Sequence, residues 1–291
     1  MKSKLSIILF CFLSFSSFGQ IITSKIGDDI TKTDLQEMNL VGGVKSVQET
    51  SYVAITKGDS IVKGKRKRES PEWKKDYWVK INSFGYIYNT VVYNSDGSMS
   101  YKFVSDYTDS GKVKEHFNYN SDGVLLGITN CKYKYDSKGN IIEQDWFRQD
   151  STLDNKTIFQ YDEKGNLIVS NWIGTHSTHK DSMTYDEMKN ISGMWDFQNG
   201  KLSWHYSYLY DEKHNLTEEI WYSSNEKFYM KYNFKYDDKG NRTEVMWENA
   251  RGTKCTWTFQ YSFDSKGNWI KSVQYLDGKA NYILEREIEY F

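Results

Sequence analysis

A six-residue phrase, Tyr135-Asp136-Ser137-Lys138-Gly139-Asn140, recurs along the chain and constrains its folding more than any other feature. It returns at Tyr161, Tyr185, Tyr210, Tyr236 and Phe263, in steps of 26, 24, 25, 26 and 27 residues. Two earlier copies occupy the same slot, Ile81-Asn82-Ser83-Phe84-Gly85 and Tyr107-Thr108-Asp109-Ser110-Gly111, which makes eight. A fixed period of this length marks a repeat architecture in which each unit packs on its neighbours.

The phrase has the chemistry of a tight turn. Its Asp can accept hydrogen bonds from backbone N–H groups two residues on, and its Gly supplies the left-handed conformation that closes a bulged hairpin. Lys189 and His214 replace that Gly in two copies, so repeats five and six are expected to be the least regular. Looser turns alternate with the major one, as in Asn94-Ser95-Asp96-Gly97, Asn120-Ser121-Asp122-Gly123, Gln198-Asn199-Gly200 and Asp277-Gly278. Two turns per period leave two short strands. The expectation is an all-β protein of tandem ~25-residue hairpins, forming an extended, twisted antiparallel meander of 16 to 18 strands, open or spiralling.

Ten Trp, 23 Tyr and 15 Phe against a single Pro suit such a sheet. Aromatics stand two apart before the turn, as in Tyr206, Tyr208 and Tyr210, or Tyr232, Phe234 and Tyr236, which puts them on one strand face as a cross-strand ladder. Seven residues after the turn Gly come Trp146, Trp172, Trp221 and Trp247, with Trp195 one place early. Val113, Ile141, Leu167, Ile191 and Leu216 stand at offset two, and the mixed parity points to a bulge or to burial on both faces.

Three regions are expected. Residues 1–19 read as a secretory signal peptide: Lys2 and Lys4 precede an apolar run from Leu5 to Phe15, and Ser17 and Gly19 suit cleavage near Gly19. The run is too short to span a membrane, and Cys11 lacks the small residues of a lipoprotein signal. Residues 20–42 are an irregular N-terminal segment in which Thr33 to Met38 can cap and form a short helix, and residues 43–291 are the β-repeat domain, with Val44 to Ile55 as its first strand. Lys57 to Lys75 reads as an irregular insertion carrying the basic run Lys63-Gly64-Lys65-Arg66-Lys67-Arg68 and Pro71, a solvated loop before a polyanion contact. With 38 basic and 39 acidic residues, nothing calls for nucleic acid. Cys131 and Cys255 lie roughly ten strands apart, on the order of 48 Å in an open sheet. A disulfide needs Cα atoms within about 7 Å, so one between them would require the array to close.

Phe159-Gln160-Tyr161-Asp162-Glu163-Lys164-Gly165-Asn166-Leu167 has the form Tyr-x-Tyr-Asp-x-x-Gly-Asn-Leu with Phe first, and over residues 73–291 the chain resembles the RHS or YD repeat of bacterial wall-associated and toxin-delivery proteins and teneurins. The period is several residues longer than the usual unit, and the recurring Trp departs from it. The resemblance implies the strand-turn-strand unit; the shell that long members build around a toxin segment has no counterpart in so few repeats.

A catalytic set in a repeat protein ought to break the repeat. Glu115, Glu143, Glu218 and Glu244 do not, since each stands four residues after the turn Gly or its equivalent, and they read as surface positions. His176 and His179 are the best metal candidates, with Asp181 near, yet residues three apart on a strand face opposite ways. No phosphate loop, nucleophile elbow or zinc-protease helix occurs. The reading is therefore a secreted or periplasmic non-catalytic binding surface without metal or cofactor. Its candidate ligand is a glycan or a partner protein, held by Trp146, Trp172, Trp195, Trp221 and Trp247. A polysaccharide-active enzyme on the same scaffold, or an accessory of toxin delivery, is the alternative.

Overall fold

The computed structural model describes residues 33–66 and 76–291. The expected signal over residues 1–19, Lys67, Arg68 and Pro71 lie outside them. After helix α1 (Asp34–Glu37), strands β1 (Val44–Lys57) and β2 (Ser60–Arg66) form a hairpin, and β3 (Tyr77–Ile81) opens the repeat array. The array continues through β4 (Ile87–Tyr93), β5 (Met99–Tyr107), β6 (Val113–Tyr119), β7 (Leu125–Tyr135), β8 (Ile141–Arg148), β9 (Leu153–Tyr161) and β10 (Leu167–Gly174). It ends with β11 (Thr178–Tyr185), β12 (Ile191–Gln198), β13 (Lys201–Tyr210), β14 (Leu216–Ser223), β15 (Phe228–Tyr236), β16 (Arg242–Asn249), β17 (Lys254–Phe263), β18 (Trp269–Leu276) and β19 (Lys279–Tyr290).

The turns behave as their residues dictate. In the copy at Tyr135, Asp136 Oδ1 accepts from the backbone N–H of Lys138 at 2.8 Å and of Asn140 at 2.9 Å, and Gly139 sits at φ 86°. Lys189 and His214 adopt the same left-handed conformation, at φ 68° and 63°, and donate to Asp186 and Asp211 as Gly139 donates to Asp136. Repeats five and six thus keep the common turn, contrary to the expected irregularity, and the strain stays at one residue each. The pairing Tyr135↔Ile141 followed by Lys134↔Glu143 leaves Ile142 as a bulge. The bulge reverses parity after the turn, so Ile141 and Trp146 share a face despite their odd separation.

The expected open or spiralling sheet is corrected: the array closes. Strand β1, which is not part of the repeat, pairs with β19 along one edge and with β2 and β3 along the other, giving a closed ring of 18 strands with β2 as an extension. Closure removes the edges an open array would expose. The insertion expected to be irregular supplies β2, whose Lys63 pairs with Glu285 at 2.7 Å. Cys131 on β7 and Cys255 on β17 form no disulfide, so closure rests on strand pairing.

The closing seam is specified by a buried ion pair. Glu49 stands opposite Arg286 on one side and Tyr77 on the other, and its Oε2 accepts from Arg286 Nε at 2.9 Å and from the Tyr77 hydroxyl at 3.2 Å. The Arg286 guanidinium lies 3.5 Å from the centre of the Trp269 ring. Burial, then the neighbouring Glu49 charge, pushes the Tyr77 hydroxyl far above its ordinary range. A buried pair of this kind contributes less to net stability than to register, because any slip strands a charge.

Followed from strand to strand, the register assigns every side chain to one of two faces. The inner face carries Val47, Val79 and Leu284, all at 0–1% exposure, and the ladder of Phe103, Tyr133, Phe159, Tyr206, Tyr232, Phe234 and Phe259. Tyrosine hydroxyls knit it together: Tyr133, Tyr161 and Tyr236 donate to the backbone carbonyls of Val113, Ile141 and Leu216, each at 2.9 Å. The outer face carries alternating charge, with Lys134–Glu143 at 2.5 Å, Lys231–Glu218 at 2.5 Å and Lys235–Glu244 at 2.8 Å. Of the four repeating glutamates expected at the surface, Glu143, Glu218 and Glu244 are partners in these ladders. Over one mouth, residues 33–41 lie across the major turns: Leu35 N–H donates to Gly85 O at 3.0 Å, Asn39 Nδ2 to Lys239 O at 3.0 Å, and Val41 N–H to Asn268 Oδ1 at 2.8 Å. Met38 and Leu40 pack there on Val44, Val47, Val79 and Ile81.

Candidate functional site

A circular ring of eighteen strands, spaced ~4.8 Å and tilted ~40°, would be roughly 35 Å across between backbones. The inner wall is the surface to read, and the repeat divides it into tiers. The fourth residues of the even-numbered strands form a mostly polar tier: Thr90, His116, Gln144, Ser170, Met194, Glu219, Val245 and Ser272. Two residues further lies the next tier, which contains Trp146, Trp172, Trp221 and Trp247.

Four of the five expected Trp positions thus come together on one inner tier. Trp221 is buried, at 4% exposure, with its Nε1 donating to Glu219 Oε1 at 2.9 Å. Trp146, Trp172 and Trp247 are half-buried. Trp172 Nε1 donates to Asn155 Oδ1 at 3.1 Å, and Trp146 stacks on His116 with ring centres 4.8 Å apart. Burial holds the His116 imidazole below its usual pKa, and its Nδ1 meets Ser105 Oγ at 2.9 Å. Trp195 does not join them. It pairs with Ser182 and His205 on the outer face and stacks on His205 at 4.5 Å.

The displacement of Trp195 exposes what the sequence reading missed. In repeat five the place of the inward Trp is taken by Asp196. Directly opposite, where β13, β15 and β17 place Tyr206, Tyr232 and Phe259, and β7 and β9 place Cys131 and Thr157, stands Asp181. His179 joins them, its Nε2 3.3 Å from Asp181 Oδ1 and its Nδ1 3.7 Å from Asp196 Oδ1. Asp181 is 2% exposed and Asp196 9%. The hydrogen bond to Asp181, working against burial, raises the His179 pKa, while burial raises that of Asp196. His176 lies exposed in the turn between β10 and β11, so the histidine pair expected from sequence is not a unit. The signal that could have found Asp196 was the break in the Trp spacing at Trp195.

A family model described as "Uncharacterised protein" matches residues 42–209. That description does not name the RHS or YD repeat. No curated protein matches the sequence. Among solved structures, a porin-like protein from Bacteroides uniformis aligns at 10% identity over 84% of this chain and 96% of its own, with a TM-score of 0.40. A porin-like protein from Bacteroides vulgatus aligns at 9% identity over 85% of this chain and 98% of its own, with a TM-score of 0.29. A chain of the TcdB2–TccC3–Cdc42 complex aligns at 11% identity over 82% of this chain, which spans 16% of it, with a TM-score of 0.32. All three scores fall below 0.5, and the fold described above stands on this chain's own strand pairing.

Proposed function

The chain belongs to the family of that matching model, and from its inner wall we propose that it is a water-soluble, exported, non-catalytic barrel that binds an extended glycan. The observation that carries the reading is the inward turn of the half-buried Trp146, Trp172 and Trp247 on one tier, completed by the buried Trp221, with the half-buried His116 and Gln144 one tier away. Flat indole faces stack on sugar rings, and polar groups at their edge take up the hydroxyls. A closed ring admits a chain, whereas a folded partner would meet the charged exterior.

That exterior supports water as the surroundings. A membrane barrel turns an apolar band outward, and an outward Lys at the bilayer midplane costs about 2–4 kcal/mol. Here Lys134, Lys231 and Lys235 stand outward in pairs with glutamate. Export rests on the apolar run from Leu5 to Phe15 behind Lys2 and Lys4. The absence of catalysis rests on the inner wall being mainly repeat positions.

Calorimetry of the purified protein against a panel of soluble oligosaccharides tests the reading. Trp146→Ala and Trp172→Ala are each expected to weaken binding by about tenfold, since a stacked aromatic ring contributes on the order of 1 kcal/mol beyond its area. Trp195→Ala, on the outer face, is expected to leave binding unchanged. Binding that follows Trp195 instead, or binding of an unfolded peptide in place of every glycan, overturns the glycan assignment. Release of cleaved sugar by the unaltered protein overturns the non-catalytic one.

A further inference from the structure

We propose that His179, Asp181 and Asp196, with the Ser170 hydroxyl beside them, form a divalent transition-metal site on the inner wall where β10, β11 and β12 meet. The argument starts from register. Asp181 and Asp196 are directly opposed in an antiparallel pair and face the same way. Like charges so placed destabilise a sheet, and burying a carboxylate is costly unless a cation answers it. Among the described residues, the ion pairs of these two carboxylates are with His179 alone. A single imidazole ring thus meets two opposed, buried carboxyl groups.

Two buried polar atoms here make no hydrogen bond. Asp196 Oδ1 is buried and makes no hydrogen bond. Ser170, 1% exposed, stands directly across from Asp181 on the other side, and its Oγ makes none either. Buried polar atoms are ordinarily satisfied, so unsatisfied ones that converge with a carboxylate pair indicate an absent third party. The ligand atoms of His179, Asp181 and Asp196 already lie within 4.8 Å of one another. One imidazole nitrogen with carboxylate oxygens suits zinc or a similar first-row ion; calcium and magnesium prefer oxygen alone.

The neighbouring repeats supply the contrast. Where this set stands, repeat seven has Met230, Tyr232 and Trp247, and repeat six has Trp204, Tyr206 and Trp221. Repeats three and four have Thr129, Cys131 and Trp146, and Asn155, Thr157 and Trp172, so the inward Trp that repeats three, four, six and seven share is an acid in repeat five, and all three of its positions are ligand types. Trp172 opposite His179 and Trp204 opposite Asp196 close the sides and limit solvent. This inference does not depend on what the Trp tier binds.

The test is isothermal titration of the chelator-stripped full-length protein with zinc chloride, and in parallel with manganese, calcium and magnesium chlorides. One zinc per chain is expected, with a rise in melting temperature that calcium and magnesium do not reproduce. Asp196→Asn and His179→Gln are each expected to weaken zinc binding by at least about tenfold and to abolish the melting shift. His176→Gln is expected to change neither. Asp196→Asn relieves the carboxylate repulsion, so this variant remains folded and its loss of binding is readable; circular dichroism verifies that. No zinc uptake at millimolar concentration, or uptake that Asp196→Asn and His179→Gln leave intact, overturns the site.

Discussion

In the hairpin of β15 and β16, Tyr232 faces Trp247 across the strands, and with Met230, Phe234 and Val245 they make a dry cluster in which Tyr232 and Val245 are 0% exposed. In the hairpin of β11 and β12, the residues in those two places are Asp181 and Asp196. The backbones match: each turn closes with the Asp carbonyl accepting at 3.1 Å from the fifth residue, Gly240 or Lys189. Each also carries the bulge after it, at Thr243 or at Ser192. The repeat is therefore carried by turn and ladder chemistry, which leaves the inner tier open to change, and the aromatic pair of repeat seven is a pair of carboxyl groups in repeat five.

The sharpest way to break this comparison is to truncate equivalent positions. Tyr232→Ala should cost about 3–5 kcal/mol in denaturant unfolding, as loss of a fully buried aromatic does. Asp181→Ala at the same tier should fall within about 1 kcal/mol of the parent, on the stabilising side, because it removes one of two opposed like charges. Equal costs at the two places would show that repeat five is packed like its neighbours. The turns provide a smaller contrast. Lys189→Gly should stabilise by about 1 kcal/mol, since glycine takes the left-handed conformation without a Cβ clash, and Gly240→Lys should lose a similar amount.

The smallest effect is one of pH. His116 occupies the tier position of Val245, and burial depresses its pKa. The unfolded chain then takes up the proton more readily than the folded one, so this contribution is complete above about pH 6.5 and is lost as pH falls through the depressed value. His116→Gln should flatten the stability profile in that window. A variant profile that still falls there assigns the acid sensitivity elsewhere.

Much of the local structure was legible from residues alone. The Asp, Gly and Asn that recur in most of the major turns announced hairpins because their side chains and φ preferences act over five residues. The odd offset between Ile141 and Trp146 left a bulge or burial on both faces open, and register decided for the bulge. The Trp set was legible as a set, but not its inward direction, nor that Trp195 had left it, because a one-residue change of parity turns a side chain to the other face. Asp196 escaped notice for the same reason. It looked like the neighbour of a Trp, and only cross-strand register made it the neighbour of Asp181 and His179.

The recurring phrase by itself determined an all-β chain of paired strands with a fixed hairpin unit, since turn geometry and period-two alternation are properties of short stretches. Only the tertiary structure decided that the array closes, which face lies inside, and that repeat five gathers two carboxylates and an imidazole. The physical reason is range. Closure depends on β1 meeting β19 through Glu49 and Arg286, and the site depends on the register of three strands, neither of which any single repeat encodes.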